Sequence, residues 1–379
     1  MTYPYVQINT LNQQSGATKT VERTALFVGV GTKNLNQVTA VTADTDFDLL
    51  FGTADTVLKK QVRAAMQNAG QNWFAYVYQM AEEGYSFTQA VKDANLSASY
   101  EYAVNTNTLG VDKAAINALQ ALYAELLATY GRRQFFIQAL DGISAEEENG
   151  ETWAQYVARL TELQKGIVAD HVMLVPNLFS QDAGALAGRL ADRSVTVADS
   201  PCRVKTGAMK GLDAVKPKDK DGAELDVATL KALEIARYST AMWYPDYDGL
   251  YWSDGRTLDA EGGDFQVIEN VRIADKAART VRIRAIAKIG DRSLNSSSGS
   301  IEVHKTYFAG VLREMSKSTS INGVDFPGEC YAPQDGDIEI TWMNKNEVVI
   351  YIIVRPLECP KGITVDIALD LTTLGASNE

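Results

Sequence analysis

The sequence predicts an α/β chain of mixed α+β character, and three observations carry that prediction. Apolar runs of strand length alternate with helix-period segments through the first half, the pattern of a mainly parallel sheet. Two long segments with helical apolar stripes follow. Residues 337–371 then return to the period of two that marks strands.

Residues 1–23 are polar, with Tyr3, Tyr5, Val6 and Ile8 as the main apolar content, and read as an extended arm with one short strand. "TALFVGVG" (24–31) is an apolar strand closed by glycine. Asp55–Gly70 sets Val57, Leu58, Val62, Ala65 and Met66 at helical spacing, between an acidic start and a glycine stop. Trp73–Met80 is a further strand. Strands at Tyr100–Thr106, Arg133–Leu140 and His171–Asn177 each precede a helix, at Val111–Gly131, Thr152–Gly166 and Ala183–Ser194. Val215–Asp226, dense in alternating charge and broken by Pro217 and Gly222, reads as an exposed loop.

An aromatic cluster and an Asp254–Gly255 turn lead into a basic helix from about Glu269 to Ile289. A second long helix over Ser300–Ser318 lines up Ile301, His304, Phe308, Leu312 and Met315. "DIEITWMN" (337–344) alternates, and Val348–Val354 is apolar throughout, as in a strand covered on both faces. Beyond Pro356 and Pro360, Ile363, Val365, Ile367, Leu369 and Leu371 alternate with Thr364, Asp366, Ala368 and Asp370.

A chain of 379 residues can bury a large core without covalent staples. Its three cysteines, Cys202, Cys330 and Cys359, are widely spaced and odd in number, which fits a reducing compartment rather than a disulfide framework. The N-terminus lacks the basic and apolar regions of a signal peptide, and Val348–Val354 is far too short to span a bilayer. The expectation is a soluble protein made in a cytoplasm. A net charge of −12 speaks against general nucleic-acid binding.

The chemistry-bearing patterns are weak. "GVGTK" (29–33) follows a strand, but it is too short for a phosphate loop and lacks the third glycine of a dinucleotide fingerprint. Nucleophilic catalysis needs a base. The two histidines, His171 and His304, begin a buried-looking strand and lie on an apolar helical stripe, so both read as packed structural residues. Neither sits near a cysteine, so no catalytic residue, metal or cofactor is assigned.

The charge distribution says more. Residues 269–317 hold ten Lys or Arg against five acidic residues, a balance of +5 inside an acidic chain. Arg272, Lys276 and Arg279 share one helical face, and Lys305, Arg313 and Lys317 follow on the second helix. The interleaved aromatics of a nucleic-acid surface are missing, so a protein partner with an acidic face is the economical expectation.

Three stretches make the chain resemble the sheath proteins of contractile phage tails and related injection machines. They are Tyr251–Arg282, with "DGRTL" ahead of the basic helix, the closing block Glu339–Leu371, and the N-terminal arm leading into "FVGVG". The resemblance implies an inner domain built from both chain ends, with a mixed sheet and long helices, and an inserted outer α/β domain. Its expected boundaries here are an N-terminal arm at 1–23, the outer domain at 24–240, the inner, tube-proximal domain at 241–355 and a C-terminal arm at 356–379. It also implies hexameric rings stacked around a tail tube, contacts with baseplate and tail terminator proteins, assembly in the host cytoplasm, a place in the virion tail and no enzymatic activity.

Arms at about residues 3–10 and 361–371 would add strands to neighbouring subunits, through Tyr5, Val6, Ile8, Ile363, Val365, Ile367 and Leu369. The candidate tube contacts are the basic face around Arg272, Lys276 and Arg279, or that of Lys305, Arg313 and Lys317. Two other readings stay open: a cytoplasmic α/β enzyme holding a phosphorylated ligand at Gly29–Gly31, and the sheath of a non-viral injection apparatus.

Overall fold

The apolar run Ala25–Val30 forms β1, an interior strand of a six-stranded sheet. The computed structural model describes residues 21–146, 148 and 150–369. Around β1 lie β2 (Val38–Thr42), β3 (Phe74–Met80), β4 (Tyr102–Asn105), β5 (Phe135–Leu140) and β6 (Val172–Pro176), in the order β2-β3-β1-β4-β5-β6. Every neighbouring pair is parallel except β2 with β3. β1, β4, β5 and β6 are buried almost end to end, which is why their sequences are continuous apolar runs.

Between the strands run α1 (Phe47–Phe51), α2 (Val57–Asn68), α3 (Phe87–Ser97), α4 (Lys113–Tyr130), α5 (Trp153–Gln164) and α6 (Asp182–Ala191). Their ends follow local chemistry. Asp112 accepts from the Ala115 amide at the start of α4, and Gly131 closes that helix with a left-handed φ of 62°. Thr152 and Gln155 form a reciprocal capping box on α5. α6 is buried along its whole length, and Gly184 and Gly188 let it approach the backbone of α2. A Cβ at either glycine would collide with the carbonyl of Gln61 or of Ala65.

The second half adds α7 (Val227–Ile235), the hairpin β7 (Ala241–Tyr244) and β8 (Tyr247–Trp252), then α8 (Ile268–Ile286) and α9 (Ser298–Met315). Two further hairpins follow, β9 (Thr319–Ile321) with β10 (Val324–Phe326), and β11 (Ile338–Asn344) with β12 (Glu347–Ile352). Ile268 and Val271, at the start of α8, belong to the core of the large sheet. Farther along, Ile273 and Ala277 pack on Val311, Leu312 and Met315 of α9. Phe308 and Ala309 then pack on Ile338 and Ile340 of β11. α8 is thus the element common to both halves.

The burial of one strand read from the sequence differs in the structure. Val348–Val354 reads as covered on both faces, but β12 alternates between exposed and half-buried positions, with Val349 and Tyr351 on the open side. The hairpin β11-β12 is a two-stranded sheet, and only one of its faces lies on α9.

Candidate functional site

The face of α8 expected to be a free basic surface is engaged inside the subunit. Arg272 is 3% exposed and makes a bidentate pair with Glu101, Nε to Oε1 at 2.8 Å and Nη2 to Oε2 at 2.9 Å. Its Nη2 also donates to the Leu190 carbonyl at 3.0 Å. Burial alone would raise the Glu101 carboxyl, but the Arg272 charge and its hydrogen bonds outweigh that and hold it below its ordinary value. Lys276 reaches both oxygens of Glu329, at 2.7 and 2.6 Å, and Arg279 binds Glu22 at 3.0 Å. Helical spacing brings the three cations to one face, but carboxylates from three distant segments close over them. Arg272 is enclosed, and Lys276 and Arg279 are already paired, so this face offers no free basic surface.

The cations of the second helix remain on the outside. Arg313 and Lys317 are exposed and Lys305 is partly so. Lys305 and Lys317 make surface pairs with Glu302 and Glu314, each at 2.8 Å, of the kind worth little in water. Arg313 has no ion pair among the described residues. Ile286 at the end of α8, Ile289 just past it and Val303 in the first half of α9 are exposed.

His171 lies under the sheet end, stacked on Tyr123 with ring centroids 3.6 Å apart. Its Nδ1 lies 2.9 Å from Asp170 Oδ1 and its Nε2 lies 3.5 Å from Asp275 of α8. Burial pushes its pKa down, yet the two carboxylates outweigh burial and raise it. His304 is buried on α9, its Nδ1 2.8 Å from the Ser300 carbonyl. Both histidines are packed within the fold. Gly29 lies within β1 and Gly31 directly follows it, and both pack closely on their own neighbours: a Cβ at Gly29 would strike Thr106 and one at Gly31 would strike Gln79.

Both ends of the described chain are tied to α8. Glu22, near the start, binds Arg279. Lys361, near the end, binds Glu269 at 2.8 Å and Asp254 at 2.6 Å. Those two carboxylates are buried, and their attraction for Lys361 outweighs burial and raises its pKa. Past this clasp the chain runs from Gly362 to Leu369 with no strand partner among the described residues. Ile363, Val365, Ile367 and Leu369 are 78%, 73%, 91% and 81% exposed. Tyr5, Val6 and Ile8, the expected N-terminal arm residues, lie outside the described residues. The alternation read in the sequence forms no strand over residues 362–369, all of which are exposed, and the anchor was not foreseen because Lys361 carries no local signal of its two remote partners.

The family model described as DUF2586, N-terminal domain, matches residues 3–256, and that described as DUF2586, C-terminal domain, matches residues 264–372. A relative from Haemophilus phage HP1 (strain HP1c1), which bears the provisional name of a tail sheath protein, is 64% identical over 374 residues. That match covers 98% of this chain and 100% of the relative. Among solved structures, the sheath of the extracellular contractile injection system PVC, in its contracted state, is similar with a TM-score of 0.63 at 14% identity, covering 98% of this chain and 99% of that one. A chain of the anti-feeding prophage baseplate is similar with a TM-score of 0.58 at 13% identity, covering 98% and 100%. Across that low identity it is the fold that is shared.

Proposed function

The chain belongs to the DUF2586 family through both of its domains, and on that premise we propose that it is the structural subunit of a contractile tail sheath. Its copies stack as hexameric rings around a tail tube and contract to drive the tube through the host envelope. It needs no active site, because the stored work lies in a choice between two packings of the same subunits. Its place is the virion tail, with baseplate and terminator proteins at the ends of the sheath and assembly in the host cytoplasm.

One observation carries this reading. A segment with clean two-residue alternation leaves the body at Lys361 with four large apolar side chains in water. Burying each would gain about 1.5–3 kcal/mol, and unpaired strand edges are an aggregation hazard unless another chain covers them. The hairpin β11-β12, open at its edges and on the face of Val349 and Tyr351, is the matching acceptor on a neighbouring copy. Main-chain hydrogen bonds would supply affinity and the alternating side chains would fix the register. The N-terminal arm around Tyr5, Val6 and Ile8 is proposed for the same use. The chain divides in function into the arms at 1–23 and 356–379, an outer domain at 24–240 and an inner domain at 241–355. Lys305, Arg313 and Lys317 are the proposed tube-facing cations.

The experiment is removal of residues 362–379, which keeps the Lys361 clasp. The truncated chain is expected to fold, remain soluble and form no tubes in negative-stain images. Tubes of normal length from the truncated chain would end the strand-exchange reading.

A further inference from the structure

A cleft of about 880 Å³ lies between the segment 196–205, the hairpin β7-β8, Pro327–Gly328 and the root of the C-terminal segment at 357–361. Two of the three cysteines line it, Cys202 from the first of these segments and Cys359 from the last. They are far apart in sequence, and the fold brings both chain segments to one turn, Asp254–Gly255. Lys361, two residues past Cys359, binds Asp254 at 2.6 Å. Pro201, next to Cys202, packs against Gly255, where an added Cβ would stand 3.0 Å from the proline ring. Each cysteine is thus one or two residues from a contact with the same turn.

Both thiols can be reached from solvent. Cys359 is exposed and lies in irregular backbone. Cys202 is partly exposed, in a turn ahead of the short 3-10 helix at Val204–Thr206, and its Sγ donates to Ser200 Oγ at 3.2 Å. Cys330 is the contrast within the same chain. It is buried between α8 and α9, with its Sγ 3.8 Å from the Leu312 carbonyl. A thiol reacts according to its access and its thiolate fraction, so two of the three are placed for chemistry and the third is not.

We propose that Cys202 and Cys359 form a dithiol site, which a low-molecular-weight disulfide oxidises to a bridge within one subunit. The Cys359 thiolate attacks one sulfur of the reagent, whose S–S bond breaks and whose other half leaves as a thiolate. The Cys202 thiolate then attacks the Cys359 sulfur of this mixed disulfide and expels the second half. In sum two protein thiols are oxidised, and the reagent takes up their electrons and protons to become two thiols. A bridge sets the two Cα atoms within about 7 Å, so forming it draws the root of the C-terminal segment onto the segment 196–205. The bridge secures the same root as the Lys361 clasp, and salt, which screens ion pairs, does not loosen it. Reducing surroundings keep the site open and oxidising ones close it. None of this depends on the sheath reading.

The test incubates the full chain at about pH 8.5, where much of an ordinary thiol is ionised, in mixtures of reduced and oxidised glutathione of graded ratio. The samples are quenched with an alkylating agent, and peptides are mapped by mass spectrometry without reduction. The variant C202S is treated in parallel. The expected result is a peptide pair joined through Cys202 and Cys359 in monomeric protein, with Cys330 still a thiol. In C202S, Cys359 stops at the glutathione adduct. Half conversion of the variant should need at least about tenfold more oxidised glutathione than wild type, because the second thiol in the cleft acts at a high effective concentration. Glutathione adducts on both cysteines of the wild type with no joined pair, or joining only between two chains, would overturn the proposal. Free thiols at every ratio, or half conversion of wild type and C202S at the same ratio, would do so equally.

Discussion

Arg272 of α8 and Glu101, just ahead of β4, are 171 positions apart in the chain and meet as a buried pair with two parallel hydrogen bonds. The pair joins the helix shared by both halves of the molecule to the middle of the six-stranded sheet. Glu101 also accepts from the Arg23 amide at 2.5 Å, so the entry of the chain into β1 is fixed at the same point.

Removal of one partner strands the other in the interior. Arg272→Ala is expected to destabilise the subunit by about 3–5 kcal/mol, well beyond the usual surface substitution. Chemical denaturation of wild type and variant measures it. A loss within about 0.5 kcal/mol would show that the pair is dispensable. Glu101 has a lowered pKa, so its contribution is present above the unfolded carboxyl pKa of about 4.3 and fades as pH falls through the folded value.

His171 gives a pH dependence of the opposite sign. Its pKa is raised in the fold, so its charged pairs stabilise below the unfolded value of about 6.5 and are lost as pH rises through the folded value. His171→Gln should therefore cost more at pH 5.5 than at pH 8.5. The lost stack on Tyr123 adds a part that does not change with pH. Melts of both proteins at the two pH values decide the matter, and a gap that widens with pH would contradict the assignment.

Lys361→Met leaves Asp254 and Glu269 facing each other with no cation. The expected cost is about 1–3 kcal/mol, discounted because the lysine is itself partly in water. Adding Glu269→Gln to that variant should recover part of the loss, since the pair is coupled. Purely additive losses in the double-mutant cycle would rule out the clasp.

Reversing Lys305, Arg313 and Lys317 to glutamate should leave subunit stability within about 0.5 kcal/mol per site, as exposed or partly exposed surface positions do. Co-sedimentation with tail tubes should weaken, most of all at low salt where screening is slight. Unchanged binding across about 0.05–0.5 M salt would take these residues out of the tube contact.

The strands and helices that carry strong periodicity were legible from the residues. β1 and β4 to β6 are buried apolar runs, β3 is a partly buried aromatic run, and α8 follows its expected span to within a few residues. β2 was missed because its five residues sit at the sheet edge and alternate only weakly. The surface chemistry was harder to read. The face of Arg272, Lys276 and Arg279 looks solvated in sequence because Glu101, Glu329 and Glu22 lie 171, 53 and 257 positions away. Helical spacing tells which side chains share a face, and not what folds over it. The apolar content of Val348–Val354 was misjudged because Val349 and Tyr351, on the open side of β12, are as hydrophobic in sequence as covered positions.

The attachment of Glu22 and Lys361 to α8 has a mechanical consequence. Glu269 and Arg279 are ten residues apart on one rod, roughly 15 Å along its axis. A load at Lys361 enters that rod at Glu269, and a load at Glu22 enters it at Arg279 as well as β1. Adjoining copies could then be reeled past one another while each globular body moves as a stiff cargo.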